Sequence, residues 1–160
     1  MKSSLCLQLN LDQYFESLKI SSHEDKKYIY DPVRKKEYIL APEEITRQLI
    51  IQYLIQQKGF SPSNLSVEKE FTLYGNKRRY DLIVYLKDKP YILIECKAPH
   101  IHISEKTFLQ ISNYNLALNI PLTIVTNGRE NYIYKLDFEK KSYEFMDYIP
   151  SKAQLKKAFP

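Results

Sequence analysis

Polar and apolar positions change their period several times along the chain. In APEEITRQLIIQYLIQQKGF, residues 41–60, Ile45, Leu49, Ile50, Tyr53 and Leu54 recur on one helical face. Pro42 suits a first turn, Glu43 and Glu44 suit the positive end, and Gly59 is a stop. Three strand-like runs follow: SVEKEFTL, RRYDLIVYL and PYILIECK, separated by the turns YGNK and KDKP. The second and third are apolar on both faces, as central strands covered on two sides are. SEKTFLQISNYNLALNI returns to helical spacing behind a Ser104 cap. Pro121 opens the short buried strand LTIVT, Asn127-Gly128 starts a turn, and NYIYKLDF returns as a strand. The expected order is α-β-β-β-α-β-β. Upstream, YIYDPV and KEYIL read as short strands around an Asp-Pro turn, with a further strand near Phe15–Ile20. Downstream, SKAQLKKAF reads as a short helix.

These elements divide one expected domain of 160 residues into a β-rich arm (1–40), a core (41–138) and a tail (139–160). With 44% hydrophobic and 27% charged residues, the chain has a globular composition. The net charge of +5 is compatible with a polyanionic partner without requiring one. Cys6 and Cys96 form no zinc spacing, and Cys96 reads as a buried free thiol, so the expected location is the cytoplasm. The apolar run in MKSSLCLQLNLDQYF is too short for a signal peptide, and no segment approaches a membrane span. There is no GxxxxGK(S/T), hence no nucleotide-driven motor in this sequence.

Candidate chemistry sits in YILIECKAPH, residues 91–100, where an apolar strand ends in Glu95-Cys96-Lys97. The pleat sends Glu95 and Lys97 to one face and Cys96 to the other. Asp81 lies on the preceding strand across a short turn. It joins the face of Glu95 and Lys97 if the hairpin loop is odd-numbered, Asp88–Pro90 or Leu86–Pro90, in the absence of a bulge. Two carboxylates in one partly buried patch repel each other unless a cation joins them, and Lys97 supplies one charge. Hard oxygen ligands of this kind suit Mg²⁺ or Mn²⁺, and a lysine beside them can orient a water for phosphodiester hydrolysis. The same trio could instead be an ordinary salt bridge on a solvated strand end.

Tyr80-Asp81 followed by Glu95-Cys96-Lys97 resembles the D-x(n)-D/E-x-K signature of the PD-(D/E)xK nuclease superfamily, with Tyr80 in place of the motif proline. The stretches YDPVRKKEYILAPEEITRQ, YDLIVY, IECKAP and QISNYN resemble the N-terminal nuclease domain of type I restriction enzyme R (HsdR) subunits, over roughly residues 27–137. That resemblance implies a restriction-endonuclease-like α/β fold with an αβββαβ core, its mixed central sheet flanked by helices. It implies Mg²⁺-dependent hydrolysis of DNA, with other restriction-modification subunits as partners. It implies a site of Glu43 (Glu44 as fallback), Asp81, Glu95, Lys97, Gln110 and Tyr114. Asp81, Glu95 and the Cys96 carbonyl would hold the metal, Lys97 would position the attacking water, and Glu43 would bind a metal water or a second metal. Gln110 and Tyr114, at i and i+4 on one helix face, would support the site and the DNA backbone. The helicase-like motor of the full subunit is missing from this sequence.

Lys77, Arg78 and Arg79 form a basic cluster next to Asp81 that could hold phosphates or simply be solvated. Lys35, Lys36, Lys152, Lys156 and Lys157 read as plain surface. His100 and His102 have no third zinc ligand, and no GxSxG elbow is present. The alternative to an enzyme is a non-catalytic nucleic-acid-binding or assembly module that keeps the nuclease fold.

Overall fold

The structure is a computed structural model and describes residues 5–160. Residues 1–4 of the expected arm lie outside the described residues. A six-stranded mixed sheet, ordered β11-β10-β9-β8-β7-β4, carries the fold. Its strands are β4 (Leu65–Val67), β7 (Leu82–Leu86), β8 (Lys89–Cys96), β9 (Leu122–Thr126), β10 (Asn131–Asp137) and β11 (Ser142–Met146). Only β8 and β9 pair in parallel. Such a pair needs a crossover, and helix α2 (Glu105–Leu118) supplies it. Helix α1 (Pro42–Gln56) precedes the sheet, and a short helix α3 (Lys152–Ala158) follows it. The expected α/β architecture, a mixed sheet flanked by helices, is what forms.

Alternation along the central strands sorts the core. Leu82, Val84, Ile92 and Ile94 pack on one face with Leu49, Ile50 and Leu54 of α1. Ile83, Leu93 and Val125 pack on the other with Phe108 and Ile111 of α2. Helix α1 is buried on more than one side, because a 3-10 helix at Leu11–Ser17 also packs against it. Leu11 and Tyr14 from that segment join the same core, with Tyr14 edge-on to Tyr53. Glu44, Thr46, Arg47 and Gln48 are therefore buried as well. The rest of the arm is a three-stranded sheet of β1 (Ile20–His23), β2 (Lys26–Asp31) and β3 (Lys36–Ile39).

Four features differ from the sequence expectation. The run near Phe15–Ile20 is 3-10 helical through Ser17, and its strand starts only at Ile20. β11 appears in the tail, where no strand was expected, as an antiparallel partner of β10. The runs SVEKEFTL and RRYDLIVYL each break in the middle. Glu68 turns left-handed (φ 49) and Asp81 bends opposite it, so β5 (Glu70–Leu73) and β6 (Asn76–Arg79) leave the main sheet as a separate two-stranded ribbon. Finally, the β7–β8 loop is the two-residue Lys87-Asp88, not three or five residues. A bulge at Tyr91 corrects the parity: Tyr85 pairs with Pro90, yet Val84 pairs with Ile92. The shifted register pairs Leu82 with Ile94, and one further step sets Asp81 beside Glu95.

An ion-pair network ties the arm to the core. Arg34 holds the fully buried Asp31 at 2.5 Å, Glu44 of α1 at 2.6 Å and Glu68 at 3.1 Å. Replacing it leaves the fully buried Asp31 without its cation and takes one of two arginines from Glu44. Arg34→Ala is expected to cost about 3–5 kcal/mol in urea unfolding. Arg34→Lys, with no fork to reach three carboxylates, recovers only part. A loss under about 1 kcal/mol, typical of an exposed pair, contradicts this role.

Candidate active site

The site forms where β8 leaves the sheet. The Lys97 N–H donates to the Thr126 carbonyl at 2.8 Å, which keeps β8 registered on β9 to its last residue. Cys96 turns its thiol into the α1-side core, fully buried, while Glu95 and Lys97 emerge together on the other face. Their side chains meet at 3.1 Å. Asp81, freed from the ladder by the bend, reaches across the hairpin. Its Oδ2 accepts the Cys96 N–H at 2.7 Å and its Oδ1 accepts from Arg47 Nη2 at 3.2 Å. The N–H and C=O of one strand residue project to the same edge, so the Cys96 carbonyl is also on the Asp81 side.

Glu43 and Glu44 take different roles. Glu44 is buried and bound by Arg34, Arg47 and Gln48, so it is structural. Glu43 is half exposed, with its Oε1 at 3.5 Å from Arg47 Nη2. Its carboxyl is raised above the ordinary value by burial and then by the negative charge of Asp81, while Arg47 and Lys97 pull the other way. Glu43 thus lies on the side of Asp81 and Arg47, whereas Glu44 points into the interior.

Burial, and then the charge of Asp81, push Glu95 up to about 7 despite the Lys97 ammonium beside it. For Lys97, burial pulls the pKa down, but Glu95, Asp81 and Glu43 outweigh it and leave the group above its ordinary value. Lys97 is an ammonium at neutral pH, able to donate a hydrogen bond. The Cys96 thiol is pushed well up by burial, which removes it as a nucleophile.

The donors fit a hard divalent cation. Asp81, Glu95 and the Cys96 carbonyl offer hard oxygen donors on neighbouring strands, and Mg²⁺ is held by such partial sets with water and phosphate. Among the described residues, no three His, Cys, Asp or Glu side chains gather as a metal cage. His102 instead pairs with Glu130 at 3.1 Å.

Beside Glu95 opens a cleft of about 290 Å³, lined among others by Lys77, Arg78, Arg79, Gln110 and Tyr114. Gln110 donates to Tyr114 Oη at 3.1 Å, and the Arg78 guanidinium lies 5.5 Å from the Tyr114 ring. Of the expected site residues, Glu95, Gln110 and Tyr114 thus line one cleft with the basic cluster. Lys77 and Arg79 are mostly exposed, with weak contacts to Glu70 at 3.9 Å and Glu68 at 3.6 Å.

Two residues of the site escape sequence reasoning. Arg47, almost fully buried, touches Glu43, Glu44, Glu68 and Asp81. Glu68 approaches because its own backbone turns left-handed. The one signal in the sequence was a run of charged and amide residues inside a helix otherwise rich in Ile and Leu.

A family model described as type I restriction enzyme R protein N terminus (HSDR_N) matches residues 42–150. The chain belongs to this family. This HSDR_N chain also shares its fold with a fragment of a protein described as an HsdR subunit of a type I restriction enzyme from Vibrio vulnificus YJ016. The TM-score is 0.55 at 20% identity, over 73% of this chain and 25% of that one. The chain thus spans about a quarter of that relative's length. No curated protein matches it. No helix among the described residues is long and apolar enough to cross a membrane.

Glu95 gives a pH signature. Between 4.5, its ordinary value, and about 7, the native HSDR_N chain keeps a proton on Glu95 that the unfolded chain has released. Raising the pH through that window therefore removes stability. The urea midpoint of the metal-free wild type is expected to fall across it relative to Glu95→Gln, which has no proton to lose. Parallel profiles for the two proteins contradict the shift.

Proposed function

We propose that this domain is a Mg²⁺- or Mn²⁺-dependent nuclease that hydrolyses phosphodiester bonds in DNA. The observation that carries the reading is the convergence of Asp81, Glu95 and Lys97 at the edge of a cleft lined by Lys77, Arg78 and Arg79. Family membership supports a restriction-modification setting, so the proposed partners include other subunits of such a system and the proposed location is the cytoplasm.

Asp81, Glu95 and the Cys96 carbonyl would hold the metal, which when bound supplies charge neutralisation at the phosphate and acidifies water. Lys97 holds the attacking water in line through its ammonium protons. Its link to Glu95 fixes the side chain at a cost lower than ordering a free lysine. Arg47 keeps Asp81 turned toward β8 and acts as a positioning residue. Glu43 closes the site from α1 as a hydrogen-bond acceptor for water. Gln110 and Tyr114 bind the DNA backbone near Arg78.

Plasmid cleavage in Mg²⁺ or Mn²⁺ tests the reading. Lys97→Ala is expected to slow cleavage by about a hundredfold or more while keeping the Mn²⁺-dependent rise in Tm. Asp81→Asn is expected to lose both cleavage and that rise, which mass action sets at about 2.7 kcal/mol for a hundredfold excess over Kd. If wild type and Asp81→Asn respond identically to Mn²⁺, the trio is a salt bridge. Tight DNA binding without cleavage favours the non-catalytic module.

A further inference from the structure

Among the described residues, the β5–β6 ribbon pairs with no other strand. Its root is fixed twice: Phe71 stacks on Tyr80 with centroids 6.2 Å apart, and Arg78 lies over Tyr114. All four residues of β6 are exposed. At the tip, Tyr74 is 89% exposed, more than any other large apolar or aromatic side chain among the described residues.

The backbone at that tip adds an independent observation. Tyr74 and Gly75 both have positive φ, 48° and 75°, the signature of a tight hairpin turn that favours asparagine then glycine. A bulky residue in that region is an outlier. Ten described non-glycine residues have positive φ, and nine of them are Asn, Asp, Glu or Lys; Tyr74 is the exception. Nothing packs on its ring to repay the strain. Strain without a packing return points to a ligand.

We propose that Tyr74 is a base-stacking residue: the ribbon lies along DNA held in the cleft, and the Tyr74 ring stacks on a nucleobase where the duplex opens. This rests on the DNA reading above. A two-stranded ribbon fits a groove of the duplex, and aromatic side chains stack on any base. Phe71 pairs with Arg78, and Tyr74 lies three residue steps beyond Phe71, about 10 Å. That is roughly three base steps from a phosphate on Arg78. Lys77 and Arg79, exposed neighbours of Arg78 on β6 that line the same cleft, meet the DNA backbone there.

The test uses the chain carrying Lys97→Ala, without metal, so that DNA binds and is not cut. The probes are a paired duplex and the same duplex with a short internal bubble containing 2-aminopurine. The Lys97→Ala chain is expected to prefer the bubble and quench its fluorescence. Adding Tyr74→Asn is expected to raise Tm, because asparagine tolerates the turn, and to weaken bubble binding roughly tenfold or more. Adding Tyr74→Phe keeps both quenching and affinity, because the ring alone is needed. Unchanged bubble binding with Tyr74→Asn overturns the proposal and leaves the DNA reading standing. A lower Tm with Tyr74→Asn also overturns it, since the ring would then serve the fold. If the Lys97→Ala chain binds neither duplex, the DNA reading and the proposal fall together.

Discussion

One buried guanidinium makes the site affordable. Glu43, Glu44, Glu68 and Asp81 all crowd toward the end of the central sheet, and Arg47 reaches each of them from the interior of α1. Arg34 adds a second fork, linking Asp31 of the arm to Glu44 and Glu68. Carboxylates removed from water tolerate one another only when paired. The arm is therefore part of the electrostatics of the core. Glu95 pairs with Lys97 rather than with either arginine, and burial, then the charge of Asp81, still raises its pKa.

Backbone irregularities do the aiming. A two-residue β7–β8 turn alone would place Asp81 opposite Ile94, with its side chain on the wrong face. The bulge at Tyr91 moves the register by one and brings it to Glu95. The bend at Asp81 then turns its carboxylate onto the Cys96 N–H. The same break releases β5–β6 from the sheet, so one deviation both orients an acid and builds the basic wall of the cleft.

The parts of the fold legible in the sequence were those governed by periodicity. Both long helices and the central strands follow from runs of apolar residues at fixed spacing. The Glu95-Cys96-Lys97 alternation was equally legible, because the pleat has a period of two. What was not legible depends on tertiary competition. The 3-10 segment at Leu11–Ser17 is held by packing on α1 rather than by its own propensity. The breaks at Glu68 and Asp81 fall in runs with ordinary strand residues. The bulge compensates an even loop, which parity reasoning covers only as an exception. Arg47 shows in the sequence only as part of a polar run in an apolar helix, and its burial follows from the arm covering α1.

The central proposal is that Asp81 and Glu95 would hold a divalent cation. Calorimetric titration of Mn²⁺ near pH 6, in buffers of different ionisation enthalpy, tests it most directly. A carboxyl with a pKa of about 7 is largely protonated there, so binding must expel its proton. The account predicts that Mn²⁺ binding releases a substantial fraction of one proton, and that this release disappears in Glu95→Gln. Mn²⁺ binding with no proton release, or with the same release in both proteins, contradicts it.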